Sequence, residues 1–261
     1  FNRVHFEWRR AGGGWQVAMD ARSERLRPAV TVARMRVADR PAPLYTYDDR
    51  EGVDDWTVAG PALGRDGSRW LPVRRPAEYA GEVFQVLARS YGTVLRHPEV
   101  MQDAPQGTVL VEHVSDDLAT VLTDMLKWST NLTAEVVGLT ASARRGGMPG
   151  SLAESGARTA DWLRARAGVG GARFVDPSGL GPESRVSPQD VVTALVRSGP
   201  DGGLRRMLKR VDMTDSNGNV LRNHPARVVA KTGTLNFVSG LAGFIQGPSD
   251  RVLAFAIFAA D

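Results

Sequence analysis

Through residues 1–75 the apolar positions recur every second residue. Val4, Phe6 and Trp8 alternate with His5, Glu7 and Arg9, and Trp15, Val17 and Met19 alternate again after Gly12-Gly13-Gly14. Period two is the signature of a half-buried strand, and the glycine run between the two segments predicts a hairpin. Val30 and Val32 predict a third strand. Tyr45-Thr46-Tyr47, Trp56-Thr57-Val58 and Trp70-Leu71 predict shorter ones, separated by Gly, Pro and Asp turn residues. No helical period competes in this stretch, so it reads as a small all-β module.

From Pro76 the period changes. Pro76 suits a first helical position, and Tyr79, Val83, Phe84 and Leu87 follow at helical spacing up to a stop at Gly92. Ser115 is the expected cap of a second helix, with Asp116 and Asp117 in its first turn and Leu118, Val121, Leu122, Met125 and Leu126 on its apolar face. A third helix follows Asn131 and ends near Gly146-Gly147. Ser151 with Glu154 predicts a capping box for a fourth, closed by Gly168. Ser187, Pro188 and Asp190 start a fifth, which ends at Gly199-Pro200.

The last forty residues return to strands. Val228, Val229, Leu235, Phe237, Val238, Leu241, Phe244 and Ile245 lead to a turn at Gly247-Pro248-Ser249-Asp250, and 252–260 is almost continuously apolar. Two long runs joined by a short turn predict a central antiparallel hairpin. The layout is an α+β fold: a helix cluster with an antiparallel sheet (76–261) and an inserted β-rich module (1–75).

Composition narrows the chemistry. With no cysteine among 261 residues there is no disulfide, zinc–thiolate site, iron–sulfur cluster or thiol nucleophile. A hydrophobic share of 42% excludes general disorder. No apolar run reaches the roughly 18–20 residues of a membrane-spanning helix. The net charge of +4 comes from arginines scattered among 29 acids, without the basic stripe and stacking aromatics that nucleic acid needs. His5, His97, His113 and His224 have no ligand spacing, so neither a metal nor another cofactor is expected. Phe1 opens directly into a strand pattern, and no signal peptide is visible. The expectation is a chain with more protein upstream.

Three local features carry chemistry. Lys231-Thr232-Gly233-Thr234 lies on a strand. It offers an ammonium for a carboxylate, two hydroxyls, and a glycine that lets a substrate backbone come close, although a solvated lysine before a turn has the same composition. Ser129-Thr130-Asn131 joins two apolar helices. Its hydroxyl can relay a proton and its amide can hold a substrate amide, while Asn131 is also well placed simply to cap the following helix. Asp176, Ser178 and Gly179 mark a tight turn inside 174–188.

In this order and spacing the chain resembles the C-terminal part of a penicillin-binding D-alanyl-D-alanine carboxypeptidase/endopeptidase of the low-molecular-mass class C type. Ser129-Thr130-Asn131 matches the family's S-x-N, and Leu132-Thr133-Ala134-Glu135 matches its continuation. Asp176-Pro177-Ser178-Gly179-Leu180 matches the D-G-S-G-L segment. Lys231-Thr232-Gly233-Thr234 matches K-T-G and is followed by Val238-Ser239-Gly240-Leu241-Ala242-Gly243. Pro177 stands where glycine is usual, Gly181 where serine is usual, and Ser184 where asparagine is usual.

The resemblance implies a β-lactamase/transpeptidase-like fold. It implies peptidoglycan stem peptides and β-lactams as partners, and a periplasmic or cell-wall location. Catalytic roles fall on Ser129, Asn131 and Lys231, substrate binding on Thr232, Gly233 and Thr234, and a supporting loop on Asp176, Ser178 and Gly179. The family's nucleophile motif, S-x-x-K, occurs nowhere in these residues. The expectation is that the nucleophile serine comes from an N-terminal segment outside this chain and that the chain alone is inactive. The alternative is a nucleophile-less relative that binds peptidoglycan without cutting it.

Overall fold

The computed structural model describes residues 3–103, 106–235 and 237–260, in two compact units, 1–110 and 111–261. The expected strand start at Phe1 lies outside the described residues. In the first unit, β1 (Arg3–Ala11) pairs antiparallel with β2 (Gly14–Asp20) and, on its other side, with a later strand, β6 (Asp66–Pro72). The β1–β2 hairpin turns at Gly12 and Gly13, whose φ values of 59° and 83° suit the two-residue turn that follows strand twist.

A second sheet has the order β3-β5-β4, built from β3 (Ala33–Ala38), β4 (Tyr45–Arg50) and β5 (Val53–Ala59), with β3 parallel to β5. Val4, Phe6, Trp8 and Leu71 from one sheet share a core with Met35, Trp56 and Val58 from the other. The third strand therefore begins after Val30 and Val32, not on them. Its outward residues, Arg34 and Arg36, are tethered to the buried carboxylate of Asp55. Burial pushes that carboxyl up, but the two guanidiniums outweigh it and hold Asp55 below the usual carboxylate range.

Helix α1 (Pro76–Ser90) belongs to the first of these compact units. Tyr79 sits in the β core and donates its hydroxyl hydrogen to the Arg3 carbonyl at 2.7 Å. Glu82 accepts from the backbone N–H of Thr31 at 2.6 Å and of Val32 at 3.1 Å.

The second unit holds α2 (Leu118–Trp128), α3 (Asn131–Gly146), α4 (Leu152–Ala167), α5 (Pro188–Ser198) and α6 (Gly203–Met207). Its sheet comprises β7 (Lys209–Val211), β8 (Arg227–Leu235), β9 (Val238–Gln246) and β10 (Val252–Ala260), ordered β10-β9-β8-β7 and antiparallel throughout. Leu195 of α5, Leu126 of α2 and Leu204 of α6 pack on Phe244 and its neighbours in the sheet.

The capping chemistry is partly as expected. Ser187 and Asp190 form a complete capping box on α5. On α4 the Ser151 hydroxyl caps the N–H of Glu154, while the Glu154 carboxylate turns outward to Gly150 N–H. Ser115 does not cap α2. Asp117 does, accepting from Thr120 N–H at 3.0 Å, because a carboxylate accepts more strongly at a helix N-terminus than a hydroxyl. The β9–β10 hairpin forms at the expected turn, but β10 lies at an edge of the described sheet instead of its centre. That edge strand, Val252–Ala260, carries no charge, and Leu253 and Ile257 are half or more exposed.

Candidate active site

Residues 129–131 occupy the joint between α2 and α3. Ser129 closes α2 in the left-handed conformation, at φ 54° and ψ 48°. Thr130 is the N-cap of α3 and Asn131 its first helical residue. Asn131 therefore caps nothing. Its amide is exposed and makes no hydrogen bond to a described residue, which leaves it free for a ligand.

Lys231 lies on β8, and its ammonium donates to the Ser129 hydroxyl and to the Thr232 carbonyl. This contact joins two motifs separated by 102 positions. Burial lowers the Lys231 pKa, since a partly desolvated ammonium is less favourable than a hydrated one. Beyond Lys231, Thr232, Gly233 and Thr234 are all exposed. Short β7 pairs with β8 only from Val228 to Ala230, so on that side the β8 backbone from Lys231 onward is unpaired among the described residues. An extended peptide can add there as a further strand. A Cβ built on Gly233 meets nothing within 4 Å, so no internal contact demands glycine at this point.

The third segment forms a loop around one carboxylate. Asp176 is 8% exposed. It accepts from Gly179 N–H and Gly181 N–H, both at 2.5 Å, and from the Ser178 hydroxyl at 3.2 Å. The loop is tied to α3 by residues on one helical face. Asn131, Glu135 and Gly138 stand at successive helical spacings. Glu135 Oε1 accepts from Ser178 N–H at 3.2 Å, and a Cβ on Gly138 falls 2.3 Å from Pro177 Cβ. The unusual proline is therefore seated where α3 carries no side chain. A second departure has a similar cause: a Cβ on Gly181 falls 2.2 Å from Val175 Cγ2 and 2.4 Å from Asp176 Oδ2. Gly181→Ser is expected to lower stability by about 1–3 kcal/mol, read from the chemical denaturation midpoint. An unchanged midpoint contradicts this packing.

The structure thus brings Ser129 and Lys231 together and places Asp176, Ser178 and Gly179 in one hydrogen-bonded loop. The roles of Glu135, Gly138 and Gly181 were not anticipated from sequence. The A-E continuation after Asn131 was the available signal for Glu135; the two glycines gave none. No cluster of His, Asp or Glu suited to a metal occurs among the described residues, and no described helix is long and apolar enough to cross a membrane.

Residues 29–261 match the profile of the D-Ala-D-Ala carboxypeptidase 3 (S13) family. The chain belongs to this family. Among relatives of the S13 chain, D-alanyl-D-alanine carboxypeptidase DacB of Haemophilus influenzae is 26% identical over 196 residues, covering 71% of this chain and 41% of the relative. A D-alanyl-D-alanine carboxypeptidase of an Actinomadura species is 28% identical over 246 residues, covering 86% of this chain and 43% of the relative. The S13 chain thus spans less than half the length of these two relatives. A crystal structure of penicillin-binding protein 4 from Haemophilus influenzae, complexed with a β-lactam, superposes with a TM-score of 0.71 at 19% identity, over 99% of this chain and 62% of that one. This likeness establishes the fold as the α+β architecture of that protein.

Proposed function

We propose that this chain carries the second half of the active site of a serine-type D-alanyl-D-alanine carboxypeptidase/endopeptidase acting on peptidoglycan stem peptides. The observation that supports the reading most is the hydrogen bond from the Lys231 ammonium to the Ser129 hydroxyl, with the unpaired β8 edge beside it. The stem peptide lies extended along Thr232, Gly233 and Thr234, and Lys231 attracts its terminal carboxylate. Asn131 holds the amide of the acyl portion. A nucleophile serine on an S-x-x-K segment outside this chain attacks the carbonyl between the two D-alanines, and its lysine takes the proton. Ser129, polarised by Lys231, delivers a proton to the leaving amine. Water then releases the acyl group. β-Lactams enter as mimics of the D-Ala-D-Ala end, and the reaction takes place at the cell wall or in the periplasm.

The apolar edge strand β10 supports the same reading. It is uncharged and its outer edge is unpaired among the described residues, as expected of a strand whose neighbour comes from the nucleophile segment. In this scheme 1–75 lies within the inserted module, and 76–261 is the C-terminal part of the transpeptidase-like domain.

Intact mass spectrometry after exposure to a penicillin tests the proposal. The full-length protein is expected to gain one covalent adduct, and this chain alone none. A full-length protein that binds muropeptides without ever being acylated is the nucleophile-less relative, and that result rejects the enzyme reading.

A further inference from the structure

The β8–β9 hairpin holds a residue that its own folding does not call for. Leu235 pairs with Val238, so only Asn236 and Phe237 connect the two strands. Phe237 has φ 68°, in the left-handed region. A two-residue connection favours Asn-Gly, because glycine has no Cβ to clash at positive φ. Phenylalanine therefore stands in the glycine's place. Its ring adds a second cost, since 74% of the residue is exposed to water. Backbone strain and exposed apolar surface at one position point to a contact made outside the hairpin.

The place of the turn says what that contact is. β8 leads to it from Lys231, with one edge unpaired from Lys231 onward among the described residues. By strand alternation Lys231, Gly233 and Leu235 share one face of the sheet. The register sets Gly240 beside Gly233 and Val238 beside Leu235 on that face. On β8 and β9, then, only glycines stand between the ammonium and the turn. Leu235 and Val238 are both exposed, and no charged residue occurs from Thr232 to Gln246. This face runs from a cation, over a glycine floor, to an exposed apolar tip. Lys231 and Leu235 lie roughly 13 Å apart along the strand, the span of about four extended residues.

We propose that Phe237 is a specificity-determining residue: with Leu235 and Val238 it receives an uncharged, apolar side chain of the ligand, from the third or fourth residue counted from the carboxylate at Lys231. This rests on the reading of the β8 edge as the substrate track. Alternate side chains of a peptide added at that edge point to the Lys231 face. An apolar one there removes the tip from water. A charged one loses hydration with no opposite charge on the hairpin to meet it.

Three penicillins sharing one bicyclic nucleus test this on the full-length protein. Benzylpenicillin has an aromatic acyl side chain, isopenicillin N a charged one, and 6-aminopenicillanic acid none. The expected second-order acylation rate is at least about tenfold higher for benzylpenicillin than for the other two. Phe237→Gly is expected to slow benzylpenicillin about tenfold and 6-aminopenicillanic acid by less than about twofold. Its melting temperature stays unchanged or rises, because glycine relieves the positive φ. Phe237→Asn, which also tolerates that φ, should behave alike. Equal acylation by all three compounds, equal slowing of all three in Phe237→Gly, or a lowered melting temperature overturns the proposal; the last means that the ring packs inside the full-length fold. An unsubstituted protein that no penicillin acylates rejects the enzyme reading instead, and the equilibrium affinities of the same compounds then decide on Phe237 by the same comparison.

Discussion

Lys231→Met in the full-length protein is expected to slow penicillin acylation by about 10²–10³-fold while leaving the melting temperature unchanged or raised. The loss follows from removing the cation that polarises the Ser129 hydroxyl and draws in the substrate carboxylate. The stability follows from burial. A lysine whose folded pKa is lowered costs stability while it is charged, and the cost is relieved as pH rises through that lowered pKa toward the ordinary lysine value. Methionine removes the cost at every pH. The exposed Ser129 hydroxyl then finds water. The pH profile carries the same sign: acylation should decline on the alkaline side at a lower pH than an unperturbed lysine would give. Stopped-flow acylation across pH, with calorimetric melting of the same samples, provides both readings. A variant that acylates normally removes Lys231 from the mechanism.

Asp176→Ala is expected to do the opposite combination, lowering stability by about 3 kcal/mol as well as activity. The carboxylate accepts three hydrogen bonds within its own loop, from Gly179, Gly181 and the Ser178 hydroxyl. Alanine leaves two backbone donors facing a gap. Ser178 N–H also holds Glu135, so the disturbance reaches the face of α3 that presents Asn131. Asp176→Asn keeps one accepting oxygen and should fall between the two. Urea unfolding beside acylation rates separates this structural role from the electrostatic role of Lys231. A stable, inactive Asp176→Ala protein shows that the carboxylate serves the reaction directly.

Periodicity and caps located most elements where they form. Ser187, Pro188 and Asp190 marked the start of α5 unambiguously, since hydroxyl, imino ring and acid all favour the same first turn. Two acids beside Ser115 hid the true cap of α2, because any of the three residues satisfies the same rule. β3 was misplaced because its outward positions are arginines whose partner, Asp55, lies far along the chain. Short α6 and β7 have too few residues to show a period. The motifs named Ser129 and Lys231, and spatial folding was needed only to bring them into contact. What could not be read was complementarity between segments: Gly138 beneath Pro177, and Gly181 against Val175, are glycines defined by what approaches them.

Ser129 holds the left-handed conformation that costs an L-residue with a side chain about 1 kcal/mol relative to glycine. Glycine there would stabilise the joint and delete the hydroxyl. Lys231 is costly in its own way, so under the proposed mechanism the most stable sequence for folding at these two positions is a dead sequence for acyl transfer. Drift without selection on the reaction runs toward glycine in place of Ser129 and an apolar side chain in place of Lys231. A lineage that had lost the chemistry would carry that mark before it lost the fold.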